Sequence, residues 1–199
     1  MTAPLPIAGL ILAGGEGRRM GGADKALLPF AGGTLLSVVQ ARLAPQVGRL
    51  ALSANGDPAR FADFGLPVLA DLSPERLGPM AGLARGLAWA AGVGADWLAT
   101  VAVDAPFLPP DLVARLSAPG GLAIAASGGR IHPTFGLWPV RLGPAVAAAL
   151  AGGERRIGQW ALAQGAVVVE FAAGAADPFQ NLNSPDDLAR AEGRARQKP

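Results

Sequence analysis

The chain has 199 residues, 51% of them apolar and 16% charged. That balance excludes an intrinsically disordered chain and is enough for one domain with a substantial core. No cysteine is present, which excludes disulfides, thiolate metal sites and cysteine nucleophiles. The net charge of +2 arises from scattered arginines, a pattern that argues against a nucleic-acid partner. Every apolar run meets glycine, proline or charge well before the roughly 20 residues of a membrane span, and the N-terminus lacks the basic start of a signal peptide. A cytoplasmic protein with no membrane association is expected.

Short apolar runs alternate with longer helical patterns, which predicts strands joined by crossover helices in a mostly parallel sheet, the α/β class. Strands are expected at 7–12, 47–53 and 66–70, with a helix at 34–43 between the first two. A helix at 78–91 follows despite its internal glycines, then a buried strand at 97–103 closed by Asp104-Ala105-Pro106. Pro109-Pro110-Asp111 opens the next helix. Further strands are expected at 122–126, 134–138 and 166–171, with helices at 142–150 and 157–164. Ser184-Pro185-Asp186-Asp187 starts the last helix, with serine as the cap, proline at the first helical position and acids at the positive dipole end. The polar tail from Glu192 is expected to fray.

The chemistry concentrates after the first strand. Residues 14–25 hold five glycines, then Arg18, Arg19 and Lys25. Glycine frees the backbone for positive φ and lets N–H groups approach an anion, so this loop reads as a phosphate site. Fifteen arginines but only two lysines, Lys25 and Lys198, occur in the chain. A lone internal lysine then suggests a task for a compact ammonium on a long stem. Two common phosphate motifs fit badly. A P-loop needs G-x-x-x-x-G-K-[ST], whereas Ala26 follows Lys25 and offers no hydroxyl; a dinucleotide fingerprint from Gly15 meets Met20 where its third glycine belongs.

Asp104 closes a strand at its carboxyl end, where open α/β sheets bind ligands, and a single carboxylate there suits Mg²⁺. Asp71, at another strand end, is placed to support the metal or a nucleotide hydroxyl, or to form a turn. The chain has three asparagines, Asn55, Asn181 and Asn183, all in loops at strand ends. An amide gives donor and acceptor to a base, ribose or pterin edge, and it also stabilises turns. His132 is the only histidine and is open to two readings, ligand contact or a satisfied structural ring. Arg155 and Arg156 open a helix at its positive end, which calls for a nearby anion: a second phosphate site, or only solvent and Glu154.

In chain order stand LILAGGEGRRMGGADKALL at 10–28, Asp71, Gly78-Pro79-Met80-Ala81-Gly82, Asp104-Ala105-Pro106-Phe107-Leu108, His132-Pro133-Thr134, Gly153-Glu154-Arg155-Arg156 and Asn181-Leu182-Asn183-Ser184-Pro185. With these residues the chain resembles the molybdenum cofactor guanylyltransferases, members of the nucleotidyltransferase superfamily, over nearly its whole length. The resemblance implies one domain over 1–199, a Rossmann-like three-layer α/β/α sandwich of the nucleotide-diphospho-sugar transferase type. It implies that the N-terminal half binds GTP through Leu12, Ala13, Gly14, Gly15, Lys25, Asp71 and Asp104, with Mg²⁺ on Asp104. The family often has asparagine at the end of the second strand; here Ser53 stands there and Asn55 follows, so both join the GTP candidates. The implied reaction transfers GMP from GTP to the terminal phosphate of molybdopterin and releases pyrophosphate, with Lys25, Arg19 and Asp104 as the catalytic set. The pterin then lies towards the C-terminal half, near His132, Arg155, Arg156, Asn181 and Asn183. Further partners implied are a molybdenum-insertion protein and molybdoenzyme chaperones.

Three alternatives compete. The cytidylyltransferase acting on the same pterin usually reads Leu-Ala-Ala-Gly where this chain has Leu12-Ala13-Gly14-Gly15, and the smaller residue suits a larger base. Sugar-1-phosphate nucleotidyltransferases lack the Arg-Arg-Met-Gly-Gly-x-Asp-Lys form and the His-Pro-Thr segment. A carrier that binds nucleotide or pterin without turnover has no evident need for both Lys25 and Asp104.

Overall fold

The computed structural model describes residues 6–14, 24–71, 78–174 and 177–196. Arg19 and Gly15, both expected at the site, lie outside them. The chain begins with β1 (Ile7–Leu12), turns through Lys25–Leu27, and forms a small hairpin of β2 (Pro29–Phe30) and β3 (Gly33–Thr34) before α1 (Leu35–Leu43). Then come β4 (Arg49–Ser53), a 3-10 segment Pro58–Phe64, β5 (Val68–Leu69), α2 (Pro79–Gly92), β6 (Trp97–Ala102) and α3 (Leu112–Ser117). The rest is β7 (Ala123–Ser127), β8 (Arg130–Pro139), α4 (Gly143–Ala151), α5 (Ile157–Ala163), β9 (Val167–Phe171) and α6 (Pro185–Arg196).

Seven strands make one sheet in the order β5-β4-β1-β6-β8-β7-β9, and only β8 runs against the others. The chain leaves β1 first to one side and later to the other, so β1 sits at the switch point where doubly wound sheets open a crevice. Register makes that crevice level: Leu12 pairs with Ser53 on one side and with Ala102 on the other.

Side chains alternate across the strands and feed two cores. Ile11, Leu52, Val101, Phe135 and Leu137 meet α1 and α3 through Leu36, Val39, Leu112 and Leu116. Leu10, Ala51, Leu98 and Trp138 meet α2, α4 and α5 through Leu83, Leu87, Val146 and Trp160. Helices therefore cover both faces, the three-layer arrangement that the family resemblance implies. Each such leucine, isoleucine, valine or phenylalanine taken wholly out of water contributes about 1.5–3 kcal/mol before chain entropy is charged against it. Trp138 brings a polar group into this core and satisfies it, its Nε1 donating to Thr100 Oγ1 at 2.9 Å.

Two glycines of α2, Gly82 and Gly86, have a packing reason. A Cβ on Gly82 would fall 2.7 Å from Ser53 Oγ, and one on Gly86 would collide with Leu10 Cδ2. Bare positions let the helix lie close on β1 and β4.

Two expectations need correction. The strand expected at 134–138 is the end of a ten-residue strand, hidden in sequence because Pro133 cannot donate to a ladder. The fold absorbs it in a bulge: Ile124 pairs with Gly136, but Ala125 pairs with His132. The tail from Glu192 does not fray at its start, because α6 continues to Arg196. Ala191 is buried, the Arg194 guanidinium lies 4.7 Å from the Phe107 ring centroid, and Glu192 Oε1 accepts from Ala31 N at 2.9 Å.

Candidate active site

A cleft of about 290 Å³ opens at the carboxyl rim of the sheet. Its floor is built from strand ends: Leu12 closing β1 with Ala13 and Gly14 after it, Ser53 at the end of β4, Asp71 after β5, and Ala102 closing β6 with Val103 and Asp104 after it. Backbone bonds keep these ends together past the last strand residue, Ala13 N donating to Ser53 O at 2.9 Å and Val103 N to Leu12 O at 3.1 Å. One wall is the start of α2, where Gly78 takes φ +73° with no side-chain cap. The opposite wall carries Thr134, Asn181 and Asn183. Thr134 was not a separate candidate in the sequence; only its place in His132-Pro133-Thr134 drew notice.

Lys25 reaches the cleft from a 3-10 turn capped by Asp24, whose Oδ1 accepts from Ala26 N at 3.2 Å. Ala26 is fully buried beneath it, so the turn is anchored and the lysine points outward from a fixed base. Its Nζ donates to Asp104 Oδ2 at 2.8 Å and to Asn183 Oδ1 at 2.7 Å. The pair is largely shielded, with side-chain exposures of 14% and 18%. Charges this enclosed interact more strongly than an exposed pair, and losing one strands the other. Asn183 is held in place by its neighbour: Leu182 is buried and its N donates to Asp104 O at 2.8 Å.

Asn55 stands beside the cleft and spends its amide on Asp71. Its Nδ2 donates to Asp71 Oδ2 and its Oδ1 accepts from Asp71 N, both at 2.8 Å. Of the two candidates at the end of β4, Ser53 thus lines the cleft and Asn55, two residues beyond it, orients the aspartate.

His132 is buried and off the cleft wall. Ser127 Oγ lies 2.8 Å from its Nε2 and donates to Asp177 Oδ1 at 2.7 Å. A carboxylate only accepts, so the single serine proton goes to Asp177 and Nε2 must carry the imidazole proton. Burial lowers the His132 pKa; the Asp177 carboxylate opposes this and Arg130 adds to it. Asp177 Oδ1 also accepts from Phe179 N at 2.9 Å, and the Phe179 ring packs 5.0 Å from the imidazole and 4.7 Å from Phe135. The histidine therefore clasps the base of the segment that carries Asn181 and Asn183. No local signal pointed to Asp177, which lies 45 residues beyond its partner along the chain.

Arg155 and Arg156 are exposed between α4 and α5, away from the cleft wall. The anion they require is local: Glu154 Oε1 accepts from the N–H of Arg155 at 2.9 Å and of Arg156 at 2.8 Å. Those backbone bonds lower the Glu154 pKa.

Among the described residues no group of three or more His, Cys, Asp or Glu could cage a metal. The cleft lining instead offers the Asp104 and Asp71 carboxylates with the amide oxygens of Asn181 and Asn183, Lys25 donating to one oxygen of Asp104 and to that of Asn183. That donor set fits Mg²⁺, which keeps waters and takes one or two carboxylates with phosphate oxygens.

The chain matches the MobA-like NTP transferase domain over residues 9–166. It is 56% identical over 192 residues to the molybdenum cofactor guanylyltransferase of Rhodobacter capsulatus, covering 96% of this chain and 97% of that one. It is 55% identical over 190 residues to that of Cereibacter sphaeroides, covering 94% and 96% respectively. In fold it is similar to molybdopterin-guanine dinucleotide biosynthesis protein A from Archaeoglobus fulgidus, with a TM-score of 0.72 at 22% identity over 96% of this chain and 100% of that chain. The chain belongs to the MobA-like NTP transferases and, within them, to the molybdenum cofactor guanylyltransferases.

Proposed function

We propose that this protein transfers GMP from GTP to the terminal phosphate of molybdopterin, releasing pyrophosphate and forming the guanine dinucleotide cofactor. The observation that carries the reading is Lys25 between Asp104 and Asn183, at the point where β1 and β6 end. One ammonium, one carboxylate and one asparagine meet there from three distant parts of the chain, and Asn181 lines the same cleft. Phosphoryl transfer asks a protein mainly for positioning and charge neutralisation, and this set supplies both.

The acceptor's own phosphate is the nucleophile, so no covalent enzyme intermediate is required. It attacks the α-phosphorus in line; the bond from that phosphorus to the bridging oxygen breaks, and pyrophosphate leaves with its electrons. Lys25 neutralises charge on the phosphates, joined by Arg19. Leu12, Ala13, Gly14 and Gly15 bring backbone close to the nucleotide, while Ser53 and Asp71 hold its nucleoside side. Asp104 would hold Mg²⁺, which would supply charge neutralisation for the phosphate oxygens. Asn181 and Asn183 face the pterin, with His132 fastening their segment and Arg155 and Arg156 further out. The protein works as one domain in the cytoplasm and passes its product to a molybdenum-insertion protein or a molybdoenzyme chaperone.

The test is product identity. The full chain is incubated with Mo-molybdopterin, Mg²⁺ and either GTP or CTP, and the dinucleotide is weighed by mass spectrometry. The guanine product from GTP alone is expected; the cytosine product, or none with pyrophosphate retained in GTP, contradicts the assignment.

A further inference from the structure

Arg60 is not among the residues that the sequence marks for the site, yet its guanidinium bonds both to Asp24, beside Lys25, and to Asn55, which holds Asp71. It lies in the 3-10 segment Pro58–Phe64. Its Nε donates to Asp24 Oδ2 at 2.7 Å, its Nη1 to Asp57 O at 2.6 Å and its Nη2 to Asn55 O. The planar head lies 4.4 Å from the centroid of the buried Phe61 ring.

Each end of this strut adjoins a residue of the cleft. Asp24 uses its other carboxylate oxygen to cap the turn that carries Lys25. Asn55 uses its whole amide on Asp71. Gly56 leaves room for the arrangement: it takes φ +89°, and a Cβ there would fall 2.9 Å from Arg60 Nη1. One acceptor for each of its three nitrogens suits a guanidinium fork, whereas an ammonium cannot satisfy them with the same geometry.

We infer that Arg60 is a positioning residue that sets Lys25 and Asp71 at a fixed separation across the cleft, so that one nucleotide engages both. Resting on the GTP reading of the cleft, it adds a residue that touches no substrate. The side chains of Arg60 and Asp24 are 31% and 24% exposed, so the ion pair adds little to global stability. Its effect falls on geometry, where a displacement of about 1 Å is enough to cost two orders of magnitude in rate.

The experiment measures KM for GTP, kcat and the unfolding midpoint in full-length wild type, Arg60→Ala, Arg60→Lys, Asp24→Ala and the Asp24→Ala/Arg60→Ala pair. Wild-type turnover with GTP comes first, because its absence overturns the GTP reading itself rather than the role of Arg60. With turnover present, both Arg60 variants are expected to raise KM for GTP about tenfold or more with the midpoint shifted by only a few degrees. The double variant is expected to be no worse than the worse single one, as for two groups acting through one contact. Millimolar guanidinium is expected to restore part of the lost affinity in Arg60→Ala. A wild-type KM in Arg60→Lys, or additive losses in the double variant, overturns the inference. Arg60→Lys keeps the stem and charge, so it decides the matter even where Arg60→Ala unfolds.

Discussion

His132 shows how a single residue can be conspicuous in sequence and still work at one remove. As the only histidine, it invites a catalytic role, but its ring is committed to Ser127 and packed on Phe179. Burial lowers its pKa below the 6.5 usual for a histidine. At pH 8 the ring is neutral folded and unfolded, and the shift contributes nothing. As pH falls through 6.5 the unfolded chain takes up the proton first, so stability is lost until the pH passes below the folded value. Urea unfolding between pH 8 and 5 is expected to show this decline, and His132→Gln is expected to lose its portion of it. An unchanged pH slope in that variant would count against the clasp. Lys25 and Asp104 were legible from residue type and strand-end position alone. Arg60 and Asp177 were not, because nothing local distinguishes a guanidinium or carboxylate that has partners from one that is solvated.

At the scale of elements, α2 carries the most information. Glycine normally weakens a helix by about 0.8–1 kcal/mol against alanine, so a helix rich in glycine needs a reason from packing. Gly86 has one, with Leu10 and Leu98 methyl groups on its Cβ side, whereas Gly92 has no atom within 4 Å. Gly86→Ala is expected to destabilise by about 1–3 kcal/mol through overpacking, outweighing its propensity gain. Gly92→Ala is expected to be neutral or slightly stabilising. Chemical denaturation of the two variants checks this; equal effects would mean that α2 does not approach β1 as closely as described. The element pattern itself was readable because buried parallel strands are short continuous apolar runs. The bulge in β8 was not, since Pro133 interrupts the run and only the partner strand β7 shows how the ladder resumes.

At the scale of the molecule, the site exists because the sheet order returns distant segments to one rim. Lys25 and Asn183 are 158 residues apart and share a hydrogen bond, while Asp104 accepts from Lys25 through its side chain and from Leu182 N, the neighbour of Asn183, through its backbone carbonyl. The sheet's switch point at β1 predicts such a crevice in general terms. Which asparagines and carboxylates face it depends on β8 running backwards and on the segment 177–183 being fastened from below. Those features come from tertiary contacts that periodicity cannot encode. The central claim is that Asp104 and Lys25 form the charge centre of a guanylyl-transfer site. The most direct measurement is pyrophosphate release from GTP and Mo-molybdopterin by Asp104→Asn, alongside its unfolding curve. A rate at least about 100-fold below wild type, with folding intact, is the predicted result. Full activity in that variant would contradict the account.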